Sequence, residues 1–152
     1  MKRNQSPEAD ETLEHCQVKR PSAMIPPSTW QAVAAWCCKH GVSLTLEAEP
    51  EDVPIKGNCL VSGDANEDRK CEQWIQRQLR TGNQWAWCCA VVTATDLRTG
   101  AHANAVLGCC SYKSREDFID SKFIVDGKPG ASYFDEMCLE AVTALCELMN
   151  QV

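Results

Sequence analysis

GNQWAWCCAVVTAT, residues 82–95, crowds two tryptophans and two cysteines into five consecutive positions, and its reading decides the fold. Taken at a period of two residues, it places Trp85, Trp87, Cys89, Val91, Thr93 and Thr95 on one face. Ala86, Cys88, Ala90, Val92 and Ala94 fall on the other, and neither face is charged. A run apolar on both sides reads as a strand inside a sheet, covered on both faces or central with helices on one of them. The next residues, DLRTGA, offer a three-residue hairpin loop Arg98-Thr99-Gly100 with the glycine in the left-handed position. Closing that loop with Leu97 opposite Ala101 sets Val92 against Val106, Val91 against Leu107, Cys89 against Cys109 and Cys88 against Cys110. The hairpin therefore gathers four thiols, two on each face.

Those thiols are the first candidate for chemistry. Neighbours on a strand point to opposite faces, so a Cys-Cys pair cannot chelate one ion as C-x-x-C does, and the chain has no C-x-x-C. A zinc site on Cys88, Cys89, Cys109 and Cys110 would need further ligands from Cys71, Cys138, Cys146 or a histidine. A nucleophilic cysteine needs a base, and the three histidines, His15, His40 and His102, stand at no recognised spacing from a thiol. Tight packing of small polarizable side chains is the stronger reading. A zinc or thiol protein, catalytic with His102, is the alternative. The two tryptophans read as core or interface anchors, covered by the chain's own helices or by a second copy, as in a homodimer.

Outward from the hairpin the pattern is mixed. Residues 1–27 carry four prolines and no apolar period and read as a flexible arm preceding a single domain over 28–152. Ser28 and Gln31 suggest a capping box for a helix over 29–40, which Gly41 stops. VSLTLEAE, 42–49, alternates as a half-buried strand. Residues 50–66 read as a long loop, with a short strand expected at 59–61. Asp64 caps a helix over 65–80 that carries Arg69, Lys70, Arg77 and Arg80 outside its apolar stripe. Ser114 caps a short helix, VDGKPGAS at 125–132 reads as an exposed turn-rich loop, and Ser132 with Asp135 opens the longest helix, 133–149. The fold class is thus α+β in the order α-β-α-β-β-α-α, with a mainly antiparallel sheet and helices packed on it.

The 152 residues suit one self-supporting soluble domain. No apolar run is long enough for a membrane span, and the basic start lacks the apolar stretch of a secretory signal, so a cytoplasmic location is expected. Eleven cysteines, an odd number, then read as reduced thiols. The net charge of −6 is unevenly spread. Seven carboxylates stand against one lysine from Glu47 to Asp68, and eight against two from Glu116 to Glu147. Of these, Asp117, Asp120, Asp135, Glu136 and Glu140 could suggest a cation site, but the first four sit in early helical turns, where acids serve as caps. The chain has no phosphate-binding loop, dinucleotide fingerprint, H-E-x-x-H or EF-hand loop, so no cofactor is expected. Four basic residues among so many acids make direct nucleic-acid binding a weak reading.

GNQWAWC at 82–88, LGCCSYKSREDF at 107–118 and YFDEMCLEAVTAL at 133–145 together resemble small uncharacterised proteins of phages and other mobile elements. Their pattern runs GN-x-WAWC, LGxCSY-x-S-x-x-DF and DM-x-x-EA, and the resemblance spans roughly residues 57–149. The chain departs from it at Phe134 to Glu136 and in its N-terminal arm. The resemblance carries no activity and assigns no residue a role. What it implies is genomic company: such acidic accessory proteins often bind a host or defence component, including CRISPR and restriction systems. A spaced carboxylate surface can compete with nucleic acid for a basic groove. The expectation is a non-enzymatic inhibitor whose partner is a host or defence complex with a basic surface, bound through Glu47, Glu49, Glu51 and Asp52, and through Asp117, Asp120, Asp135 and Glu136.

Overall fold

The computed structural model describes residues 22–151. They form an α+β fold with four helices and antiparallel sheets. A 3-10 turn at Trp30–Ala32 leads into α1 (Val33–His40), followed by β1 (Val42–Pro50) and α2 (Ala65–Arg80). A second 3-10 turn, Gln84–Ala86, precedes β2 (Cys88–Asp96) and β3 (His102–Cys110). Then come α3 (Arg115–Asp120), β4 (Lys122–Val125), β5 (Lys128–Ser132) and α4 (Tyr133–Asn150). The order is therefore α-β-α-β-β-α-β-β-α. The expected α-β-α-β-β-α-α order misses a hairpin, because residues 125–132, expected as a loop, carry its turn and second strand. Asp126 (φ 50°) and Gly127 (φ 72°) both occupy the left-handed region, as a two-residue hairpin turn requires, and pair Val125 with Lys128.

β1, β2 and β3 make one antiparallel sheet with β2 in the centre. Its buried face presents Leu46, Ala90, Val92, Ala94 and Ala105. Against them lies α4, through Met137, Cys138, Ala141, Val142, Leu145 and Cys146, with Val33 and Cys37 of α1 closing the side. The alanines at 90, 94, 105 and 141 are fully buried and let the helix approach closely. The capping box of Ser132 and Asp135 that opens α4 is formed in full, and Ser114 accepts the Asp117 N–H at 3.1 Å to open α3. The other sheet face, with Ser43, Thr45, Glu47, Thr93, Thr95 and Asn104, is polar and largely open, and Val106 on it is 60% exposed.

Four local expectations are corrected. Ser28 and Gln31 form no capping box, since Thr29 stands at the N-cap without a side-chain bond. Tertiary contacts hold the entry instead, with the Trp36 indole N–H donating to Ile25 O at 2.8 Å. Residues 59–61 form no strand. The central strand begins at Cys88, because the Asn83 side chain accepts the Trp85 N–H and winds 84–86 into a turn. The hairpin loop has four residues, Leu97 to Gly100, since Asp96 N–H donates to Ala101 O and Gly100 N–H to Asp96 O. The fully buried Asp96 carboxylate accepts the Arg98 N–H (2.8 Å) and the Arg98 guanidinium (3.1 Å), which extends the turn. Register moves by one: Val92 faces Ala105, and Val91 faces Val106. A bulge at Gly108–Cys109 moves it back, so Cys88 does face Cys110.

The arm expected over 1–27 lies mostly outside the described residues. Within its described end, Met24 exchanges two hydrogen bonds with the Asn150 side chain, N–H to Oδ1 at 2.8 Å and Nδ2–H to O at 3.0 Å. No helix among the described residues is long and apolar enough to cross a membrane.

Candidate functional site

The two tryptophans of the WAWCC stretch part company. Trp85 turns into the main core, its ring stacked 5.3 Å from that of the fully buried Phe118. Trp87 turns the other way, into a satellite cluster with Ile75 and Ala86, flanked by Ile55, Cys59, Cys71 and Trp74. This cluster seats α2 and the long loop beside the end of β1. The Trp87 indole N–H donates to Val53 O at 2.8 Å, fixing the loop where it leaves the strand. Farther along, Gly57 N–H donates to the Glu72 carboxylate at 3.0 Å and the Asn58 amide to Pro54 O at 2.8 Å. The loop is thus held by polar contacts at several points.

Glu51, just past the end of β1, turns back onto the sheet. Its Oε2 accepts the Cys109 N–H at 2.6 Å and the Cys89 thiol at 3.1 Å, and its Oε1 accepts the Val53 N–H at 2.9 Å. Cys109 presents that N–H from a left-handed backbone (φ 54°), a conformation that favours glycine or asparagine. At neighbouring Gly108 an added Cβ would lie 3.1 Å from Glu51 Oε2, so a side chain there would press on the clamp. Donation by the Cys109 and Val53 N–H groups, with the Cys89 thiol, holds the Glu51 carboxyl down to about 2. In turn, accepting the Cys89 proton lifts that thiol to about 11.

Between this clamp and α2 opens a cleft of about 450 Å³. Its walls are apolar: Ala48 and Pro50 of β1, Val53 and Ile55 of the loop, Leu79 of α2, and Trp87. Its charged lining consists of Glu49, Glu51 and Asp52, and no lysine or arginine among the described residues lines it. Glu47 stands two residues before Glu49 on the same open face of β1. Glu47, Glu49 and Asp52 are exposed and make no ion pair among the described residues.

The second expected set is built differently. Asp117 accepts the Lys113 N–H at 2.9 Å. Asp135 caps α4 and pairs with Lys122, whose ammonium also lies 5.2 Å over the Trp30 ring. Burial works to raise the Asp135 carboxyl, but the Lys122 and Ser132 hydrogen bonds outweigh it and the net shift is downward. Asp120 and Glu136 are exposed. The structure thus gathers Glu47, Glu49, Glu51 and Asp52 at one end of the sheet, and commits half of the other set to holding helices.

The hairpin thiols lie in different surroundings. Cys88 and Cys110 lie in the main core, with burial pushing Cys88 up to about 12, while Cys89 belongs to the Glu51 clamp. No three His, Cys, Asp or Glu side chains among the described residues are grouped to hold a metal ion, those of Cys88, Cys89, Cys109 and Cys110 included. His102 begins β3 and stands roughly 25 Å along the strand from Cys110. His40 stacks on Trp36 at 4.3 Å, and His15 lies outside the described residues. The basic residues of α2 are exposed, with Lys70 paired to Glu67 at 2.7 Å.

Sequence reasoning found the acidic block but not the cleft, nor the structural task of Glu51. No family model matches the chain, and neither curated proteins nor solved structures show a match to it.

Proposed function

We propose that this chain is a non-enzymatic binding protein that engages a basic surface of a protein partner through the carboxylates at the end of β1. What carries the reading is one juxtaposition: Glu49 and Asp52 line a largely apolar cleft that no cation among the described residues lines, Glu47 stands two residues before Glu49 on β1, and none of the three has an ion pair among the described residues. Unpaired surface charge of one sign steers a partner of the opposite sign, and an adjacent apolar wall supplies area to bury. The resemblance to mobile-element proteins names the kind of partner, a host or defence complex that handles nucleic acid. Occupying its basic groove would exclude the nucleic acid. A nucleophilic cysteine needs an electropositive setting that lowers its pKa, whereas burial raises that of Cys88 and the Glu51 carboxylate that of Cys89.

The test is capture of a stoichiometric protein partner from nuclease-treated host lysate by the tagged chain, followed by an assay of that partner's nucleic-acid binding. The reading predicts one partner, lost at high salt, whose nucleic-acid binding falls as the chain is added. A partner retained equally at low and high salt, or one whose nucleic-acid binding is untouched, would overturn it.

A further inference from the structure

Resting on that reading, we infer that the cleft beside Trp87 is a receptor for an arginine side chain, carried on a segment of the protein partner. The inference starts from what the cleft lacks. Glu51 has three hydrogen-bond donors but no counter-ion, and Glu49 and Asp52 at the rim have no ion-pair partner among the described residues. A carboxylate offers about four acceptor sites. The clamp fills three of them at Glu51, and those at Glu49 and Asp52 are open to an incoming donor. The cleft therefore carries negative charge on a lining that is otherwise apolar but for Gln84, which calls for a ligand with an apolar stem and a cationic head.

Arginine meets this better than lysine. Its guanidinium is weakly hydrated, bonds carboxylates in a bidentate fork and stacks on aromatic faces, whereas the lysine ammonium is compact and strongly hydrated. The walls suit the stem. Leu79 is 37% exposed and Val53 38% exposed, so both offer apolar area to a side chain running between α2 and the loop. A cleft of about 450 Å³ has room for more than one side chain, which favours a polypeptide segment over a free cation. The clamp keeps the site rigid: Glu51 bridges the loop to the β3 bulge, and the Trp87 indole ties the same loop to the start of β2.

The experiment is a titration of the ¹⁵N-labelled full chain with three short peptides of one sequence, acetyl-Gly-Leu-Xaa-Leu-Gly-amide, where Xaa is arginine, lysine or citrulline. Citrulline keeps the shape of arginine and removes the charge. The readout is the Trp87 indole N–H resonance, assigned with Trp87→Phe. The arginine peptide should shift it saturably with a dissociation constant on the order of millimolar, the citrulline peptide should bind about tenfold more weakly, and lysine should fall between them. Leu79→Arg, which supplies a resident guanidinium, and the pair Glu49→Gln with Asp52→Asn should each weaken the arginine peptide about tenfold. Equal binding of arginine and citrulline, no shift with any peptide, or a shift produced by raising the protein concentration alone would overturn the inference, the last because a second copy then fills the cleft. Failure here is separable from failure of the acidic-surface reading. Salt-sensitive capture of a partner that ignores Leu79→Arg sinks the cleft alone, whereas arginine-peptide binding with no salt-sensitive partner sinks the inhibitor.

Discussion

Two tryptophans two residues apart serve two different parts of the molecule. Trp85 joins the core beneath the sheet, where α4, Phe118 and the small residues of β2 and β3 pack together. Trp87 joins the smaller cluster that seats α2 and the long loop. The first is sealed, and Phe118, Val92, Val142 and Leu145 are fully buried in it. The second has one fully buried large side chain, Ile75, and opens at its edge into the acid-lined cleft. The difference teaches how the fold divides its labour: the sheet core holds the chain together, and the satellite shapes a surface.

The largest effect that could break this division is at Phe118. Phe118→Ala should cost about 3–5 kcal/mol in denaturant unfolding, because it empties a site bounded by Trp85, Tyr112 and Phe134. A loss below about 1 kcal/mol would mean that the sheet core is not the foundation. Next, Ile75→Ala should cost about 2 kcal/mol, the lower end for such a truncation, since the satellite lies at the periphery and can relax. Amide exchange should quicken in α2 and the 51–63 loop and stay slow in β2. Equal quickening in β2 would show that the two clusters are one unit.

Glu51 sharpens the comparison through pH. Its folded value of about 2 lies below the ordinary value near 4.3. A depressed folded value means that the stabilisation is fully present above the unfolded pKa and is lost as pH falls through the folded one. The Glu51→Gln variant should therefore have a lower stability at neutral pH and a flatter decline between about pH 4.5 and 2 than the parent chain. An unchanged acid limb would show that the clamp is not formed in solution. Smaller still is the thiol pattern: under native alkylation Cys38 and Cys109, both exposed, should react first, and Cys88, Cys110 and Cys138 should be protected by burial. Rapid labelling of Cys88 would place it outside the core.

Much of the sheet core was legible in the sequence because it follows simple periods. β1 alternates, the uncharged run of β2 marks the central strand, and Ser114, Ser132 and Asp64 cap helices where the spacing predicts them. What failed did so for identifiable reasons. Asp126-Gly127 is a strong hairpin signal, but Pro129 and Gly130 beside it weaken the strand pattern, and a short edge hairpin tolerates them. The register slipped because Asp96 accepts the N–H and guanidinium of Arg98 two residues on and adds a residue to the turn, a local signal that the three-residue loop reading passed over. The acidic block from Glu47 to Asp52 was visible, while the roles within it were not. Glu51 meets Cys109 across 58 positions, and only folding separates this structural carboxylate from its exposed neighbours Glu49 and Asp52.

The measurement that bears most directly on the division between core and surface is one variant read two ways. Glu47→Lys, Glu49→Lys and Asp52→Lys are combined in a single chain, and its unfolding midpoint and salt-dependent capture of the partner are compared with the parent. The account predicts an unfolding free energy within about 0.5 kcal/mol of the parent, as for surface substitutions, together with loss of the partner even at low salt. A variant that keeps its partner while retaining its stability would contradict it.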